Sequence, residues 1–232
     1  MLKAHLKSLG LNPETVLNHL DSHLTLSFQD GVLLLADKEH PDHDLVIDFC
    51  EPRFQYRLER AEHELVVKAC RIKNHINNST RLKLLDATCG LGRDAMLLQL
   101  ADFQVTACER HPILAALLAD GLHRLPDSLD RFTLCAQDAR EVMQHHSFDV
   151  IYLDPMFAES RKSAKVKKGM QILQQLHHKQ INDSEALFEA AWLATCQRLV
   201  VKRGAKAATI NAVKPTFQLK SKTCRFDVYQ RS

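Results

Sequence analysis

At 232 residues, 45% hydrophobic and 25% charged, the chain has enough apolar material for a substantial core and the make-up of a globular protein, which excludes a disordered or fibrous one. The formal net charge of +3 is too small to argue nucleic-acid binding by itself, so such a claim has to rest on where the cations lie. Seven cysteines with no C-x-x-C pair read as small buried hydrophobes in a reducing compartment. With no apolar run of about 18 residues and no secretory h-region, a cytoplasmic protein without a membrane span is expected.

Residues 1–55 read as a small α+β subdomain and 56–232 as the main domain. A helix is expected over 13–20. Leu24-Thr25-Leu26-Ser27-Phe28 then alternates, and Gln29-Asp30-Gly31 turns the chain into Val32-Leu33-Leu34-Leu35, a β-hairpin pattern. Leu45-Val46-Ile47-Asp48-Phe49 reads as a third strand. His19 with His23, and His40 with His43, have ligand-like spacing but lack a third ligand in a zinc motif, so no metal is expected. Arg53, Tyr56, Arg57 and Arg60 place an aromatic inside a basic cluster ahead of a helix expected over 61–74. Such a cluster either contacts RNA through phosphates and base stacking or forms a solvated face bridged to Glu59, Glu62 and Glu64.

Leu82, Leu84 and Leu85 signal a buried strand that ends on Asp86. The chain then passes through Cys89-Gly90-Leu91-Gly92 into the helical pattern of Ala95, Met96, Leu97, Leu98 and Leu100. Gly90 and Gly92 allow the backbone to approach a ligand closely, and the helix start offers free N–H groups. A dinucleotide loop has a third glycine and faces a pyrophosphate, whereas here Arg93 and Asp94 follow G-x-G. Asp86 would repel a pyrophosphate but suits a cation. S-adenosylmethionine, with a sulfonium, an ammonium and a ribose, fits such a loop better than NAD does; a plain strand–helix turn is the alternative.

The next strand, over 103–109, ends on Glu109, about 20 residues past the loop, where an acid binds ribose hydroxyls in Rossmann-like proteins. Glu109 equally suits the start of the helix expected over 112–121, with Pro112 at its first position. A strand over 132–136 closes on Gln137-Asp138-Ala139. Asp138 there can accept from an adenine amine or cap the following helix. The strand over 148–154 delivers Asp154-Pro155-Met156-Phe157 to the carboxyl edge of the sheet, where open α/β sheets bind ligands. Strands over 198–202, 217–219 and 225–229 follow, the last two as an antiparallel hairpin.

An acid, a proline, an apolar residue and an aromatic resemble the D/N-P-P-Y/F/W loop of methyltransferases that act on exocyclic amines of bases. The lone pair of such an amine is delocalised into the ring. Asp154 and a backbone carbonyl can accept its two N–H bonds and turn the lone pair toward a sulfonium methyl. Pro155 stiffens the loop and Phe157 can stack on the base. Beyond it, Arg161, Lys162, Lys165, Lys167 and Lys168 face one nearby acid, Glu159, and are expected to contact RNA phosphates.

Together Asp86-Ala87-Thr88-Cys89-Gly90-Leu91-Gly92-Arg93-Asp94-Ala95, Glu109-Arg110, Tyr152-Leu153-Asp154-Pro155-Met156-Phe157 and Lys162-Ser163-Ala164 resemble the ribosomal RNA small subunit methyltransferase J family. Val200-Val201-Lys202-Arg203 and Arg225-Phe226-Asp227-Val228-Tyr229 are similar to its C-terminal strands. The resemblance covers residues 81–229. It implies an α/β, Rossmann-like S-adenosylmethionine-dependent methyltransferase with a mostly parallel sheet, a C-terminal antiparallel hairpin and the small N-terminal α+β subdomain. The implied reaction is methylation of the N2 amine of a guanine in 16S ribosomal RNA, with the RNA or the small ribosomal subunit as partner. By matching position, Arg93, Asp94, Glu109, Arg110 and Asp154 would bind the donor, with Asp138 and Ala139 at a further contact position where the family has other residue types. The chain departs from the family in having Phe54-Gln55-Tyr56-Arg57-Leu58-Glu59-Arg60 in place of a glycine-rich stretch, and Ala158 in place of a common proline. The competing readings are an amino-methyltransferase of another RNA or DNA base and a non-catalytic ribosome-assembly factor that binds RNA.

Overall fold

The computed structural model describes residues 1–40, 42–72, 81–125, 130–155, 172, 176 and 183–231. The chain divides into two compact units, one of residues 1–49, 111–128 and 156–182, the other of residues 50–110, 129–155 and 183–232. Among the described residues no helix is long and apolar enough to cross a membrane.

The first unit opens with helices α1 (Leu2–Ser8) and α2 (Pro13–Asn18). Asn12 caps α2 by accepting from the Glu14 N–H, and Pro13 takes the first helical position. Strands β1 (Leu24–Gln29) and β2 (Val32–Asp37) form the expected hairpin, turning at Asp30 and Gly31, both at positive φ. The third strand is shorter than expected. Only Asp44–Leu45 pairs, as β3, because the Ile47 carbonyl accepts from the Arg124 guanidinium instead of joining a ladder. Helix α6 (Pro112–His123) belongs to this unit. Its buried Asp120 accepts from the Leu33 N–H and from Arg124 and pairs with His5 at 2.8 Å.

The second unit is built on a seven-stranded sheet of β4 (Lys83–Asp86), β5 (Gln104–Cys108), β6 (Phe132–Cys135), β7 (Val150–Leu153), β8 (Arg198–Gly204), β9 (Phe217–Lys220) and β10 (Cys224–Gln230). Their order is β6-β5-β4-β7-β8-β10-β9. The first five are parallel, and β10 runs antiparallel between β8 and β9. Leu84, Leu85 and all four residues of β7 are buried, as parallel strands covered on both faces require. From β4 the order runs outward one way through β5 and β6, and from β7 the other way through β8. The C-terminal ends of β4 and β7 therefore flank a topological switch point, where open α/β sheets place ligands.

Helices α3 (Pro52–Leu58), α4 (Leu65–Cys70), α5 (Arg93–Leu100), α7 (Ala139–His145) and α8 (Ser184–Leu193) belong to the same unit. The helix expected over 61–74 is a 3-10 turn, Ala61–His63, followed by the short α4. The break falls at Glu64, which is extended and whose carboxylate is held by both nitrogens of a bidentate Arg57 contact at 3.0 and 2.9 Å. The basic cluster expected ahead of that helix lies largely on α3 itself, started by Pro52.

Candidate active site

The loop after β4 takes its shape from two glycines at positive φ, Gly90 at 55° and Gly92 at 74°, the latter forming the N-cap of α5. Beneath it lies Asp86, 1% exposed, whose Oδ1 accepts from the Thr88 N–H. Burial pushes the Asp86 carboxyl well above its ordinary value, and nearby Asp94 and Asp154 add to the rise. Asp86 thus supports the loop from below rather than opening onto solvent. Glu109, at the end of β5 and also buried, accepts from the Gly90 N–H through Oε2 at 2.9 Å. The Cys89 N–H donates to the Cys108 carbonyl, so the loop is bound to the strand end on both counts.

The same loop reaches β7. The Ala87 N–H donates to the Tyr152 carbonyl, and the Asp154 N–H donates to Thr88 Oγ1 at 2.6 Å. The Asp-Pro segment read from the sequence is therefore fastened to the glycine loop, 66 residues away in the chain. The Lys202 ammonium, from β8, joins the two: it donates to Asp94 Oδ2 at 2.9 Å and to Asp154 Oδ2 at 2.8 Å, while the Tyr152 hydroxyl donates to Asp94 Oδ2 at 2.7 Å. Arg57 approaches the other Asp94 oxygen at 4.0 Å.

These contacts set the charges. Burial opposes ionisation of Asp94, but Lys202, Tyr152 and Arg57 more than offset it and the carboxyl lies below its ordinary value. Asp154 is raised: its burial and the Asp94 charge outweigh Lys202. Burial opposes the Lys202 charge too, yet the two carboxylates hold the ammonium above its ordinary pKa. The Tyr152 hydroxyl is pushed well up by burial and by Asp94, so it stays a hydrogen-bond donor.

A second set of charges stands past β5 and β6. Arg110 donates to both oxygens of Asp183 at 2.6 and 3.0 Å and lies 3.7 Å from Asp138. Asp138 caps α7 by accepting from the Arg140 N–H, and the Arg140 side chain grips it at 3.0 and 2.6 Å. This holds Asp138 below the usual carboxylate range. Ala139 is the buried first residue of α7. Arg93 starts α5 and points toward Glu51, at 3.4 Å, and Phe54.

The structure thus brings Asp86, Gly90, Gly92, Asp94, Glu109 and Asp154 to one edge of the sheet, with Arg110 and Asp138 paired around Asp183. Pro155 is buried directly after Asp154. Phe157 and the cations Arg161, Lys162, Lys165, Lys167 and Lys168 lie outside the described residues. Sequence reasoning gave no role to Lys202, Thr88, Tyr152 or Asp183. Lys202 sits in the Val200-Val201-Lys202-Arg203 strand pattern, where a cation following an apolar run was the available signal.

Carboxyl groups outnumber cations here. Asp94 and Asp154 share Lys202, Arg57 approaches Asp94, and Asp86 and Glu109 hold the glycine loop beside them, an acidic setting that fits a ligand carrying a sulfonium and an ammonium and opposes a pyrophosphate. In the first unit, Asp37, His40 and His43 bring donor atoms within 4.8 Å of one another. Asp37 is already occupied there, accepting from the Glu39 and His40 N–H groups and pairing with the His40 ring at 3.0 Å, and it closes the turn after β2.

Comparison with known proteins agrees with this geometry. A family model described as putative SAM-dependent methyltransferase matches residues 12–231. The ribosomal RNA small subunit methyltransferase J of Alcanivorax borkumensis is 40% identical over 211 residues, 89% of this chain and 83% of that protein. The protein of the same name from Alteromonas mediterranea is 40% identical over 216 residues, 88% of this chain and 81% of its own length. Among solved structures, a SAM-dependent methyltransferase from Neisseria gonorrhoeae is similar with a TM-score of 0.70 and 26% identity, over 98% of this chain and 90% of that one.

Proposed function

Because the chain belongs to the SAM-dependent methyltransferases, and among them to the ribosomal RNA small subunit methyltransferase J family, we propose that it methylates the exocyclic N2 amine of a guanine in 16S ribosomal RNA. The observation that carries this reading is the fastening of Asp154 to the glycine loop by Thr88 and to Asp94 by Lys202. It holds a hydrogen-bond acceptor for an amine next to a loop suited to a cationic donor.

S-adenosylmethionine, when bound, supplies an electrophilic methyl group on a sulfonium. The chain's own residues do the rest. The Gly90 and Gly92 loop, Arg93, Asp94, Glu109, Arg110, Asp138 and Ala139 hold the donor. Asp154 Oδ1 accepts one N–H of the target amine while Lys202 keeps Oδ2, so the carboxylate is fixed in one orientation. Pro155 limits the backbone around it, and Phe157 stacks on the base. As the N–C bond forms and the S–C bond breaks, the nitrogen becomes more acidic and its proton passes to Asp154 Oδ1 or to water. A carboxyl raised above its ordinary value is suited to receive it. Arg161, Lys162, Lys165, Lys167 and Lys168 neutralise RNA phosphates.

The test is transfer of a labelled methyl group from S-adenosylmethionine to small ribosomal subunits purified from a strain lacking this gene, followed by nucleoside analysis. Label in N2-methylguanosine supports the proposal, and label in another nucleoside overturns the target while keeping the enzyme class. Asp154→Ala is expected to abolish transfer while donor binding persists; unchanged turnover would sink the assigned role.

A further inference from the structure

The reaction leaves unused the basic and aromatic surface of α3 and the turn after it. A hollow of about 240 Å³ opens there, lined by Tyr56, Arg57, Arg60, His63, Glu64 and Leu65. We propose that this hollow seats an unstacked nucleotide neighbouring the target base in the RNA substrate, with Tyr56 stacking on the base and Arg60 meeting its phosphate. The proposal rests on the RNA methyltransferase reading above and deepens it by naming where a second nucleotide is held.

Three features select this occupant. Tyr56 is 60% exposed, and the Arg60 guanidinium both donates to its hydroxyl at 3.0 Å and stands 5.6 Å from its ring centre. A tyrosine face beside a guanidinium is the arrangement on which single-stranded bases stack. Two acids of the cluster, moreover, are engaged by other arginines: Arg57 takes Glu64 and Arg71 takes Glu62, so neither of these two neutralises Arg60. The hollow therefore presents a cation and a π-face together, which suits a nucleotide better than an apolar peptide.

The third feature is position. Arg57 forms a wall of the hollow and also stands 4.0 Å from Asp94, which shares Lys202 with Asp154. Its bidentate bond to Glu64 prevents the guanidinium from swinging away. Arg57 thus separates the hollow from Asp94, which Lys202 ties to the Asp154 carboxylate of the reaction. A strand whose target base is presented to Asp154 has its adjoining nucleotide within reach of Tyr56.

The experiment compares Tyr56→Ala, Tyr56→Trp and Arg60→Ala with the unaltered chain. One assay is methyl transfer to small subunits lacking this modification; the other is anisotropy binding to a labelled single-stranded RNA oligonucleotide. Tyr56→Ala is expected to raise KM for the subunit about tenfold, with kcat within about twofold and donor affinity unchanged, while Tyr56→Trp restores the KM. Arg60→Ala is expected to flatten the salt dependence of oligonucleotide binding by about one contact, roughly 0.7 in log–log slope. Unchanged KM and unchanged oligonucleotide affinity in both alanine variants overturn the proposal. Should the unaltered chain transfer no label to the subunit, the reaction proposal fails, and the oligonucleotide assay still decides the hollow: weakened binding in Tyr56→Ala upholds it, equal or absent binding refutes it. Tyr56 is exposed, so a matched melting temperature verifies that the variant folds.

Discussion

The backbone N–H of Asp154 donates to the Thr88 hydroxyl at 2.6 Å, joining the end of β7 to the loop after β4 across the switch point of the sheet. The proposed amine acceptor and the proposed donor loop are thereby held to one another by a single side chain. Thr88→Val keeps the shape but leaves the Asp154 N–H without its acceptor, at a stability cost of about 1 kcal/mol. Methyl transfer in a single turnover is expected to fall at least tenfold, and Thr88→Ser, which keeps the hydroxyl, is expected to recover most of it. Equal rates for all three chains would show that this bond does not position Asp154.

Lys202 should set the pH range of the reaction. Its ammonium lowers the Asp154 carboxyl, while burial and Asp94 raise it. Removing the cation in Lys202→Met therefore raises Asp154 further, and a rate that needs the ionised carboxylate loses activity from a higher pH on descending toward acid. The acid limb of the single-turnover rate profile is expected to move to higher pH, with donor affinity measured at each pH as the control. A limb that stays in place with a lower plateau would indicate a packing role for Lys202 alone.

The buried Asp86 makes a separate prediction about stability. Its folded pKa lies above its unfolded one, so the folded state binds the proton more tightly. Folding stability consequently declines as pH rises from the ordinary carboxyl value through the folded one. Asp86→Asn retains an oxygen for the Thr88 N–H and has no charge to bury. The variant is expected to melt at a higher temperature than the unaltered chain at pH 8, the gain shrinking toward pH 4. A gain independent of pH would assign the effect to packing.

Gly121, inside α6, is required by contact rather than by φ. A Cβ there would lie 2.8 Å from Ile47 Cγ2 and 2.9 Å from the Ile47 carbonyl oxygen. Gly121→Ala is expected to lower stability by about 1–3 kcal/mol in denaturant titration. Adding Ile47→Ala recovers only part of this, since the carbonyl stays where it is; full recovery would place the whole clash on the side chain.

What was legible in the sequence follows from which forces are local. Strands β4 and β7 announce themselves because a strand buried on both faces needs an uninterrupted apolar run, and the acids at their ends mark the ligand edge. Asp86 could be placed at the end of its strand and read as facing a cationic ligand, but not its burial beneath the loop, since that depends on how the loop closes over it. The role of Lys202 was hidden for another reason. It depends on β8 lying beside β7, a pairing between residues about 50 apart that no local pattern encodes. The break at Glu64 was equally concealed, because Arg57 overrides the helical preference of the segment around it. The 45–49 strand failed at Ile47 because Arg124, distant in sequence, claims its carbonyl.

The placement of β10 between β8 and β9 has a consequence for biosynthesis. A growing chain that has made residue 220 already possesses the glycine loop, Asp154 and Lys202, yet β8 and β9 cannot pair through the strand that belongs between them. Until residues 224–230 leave the translating ribosome, the flank of β8 beside Lys202 is an open edge. The cluster that orients the amine acceptor is therefore among the last parts of the molecule to become rigid.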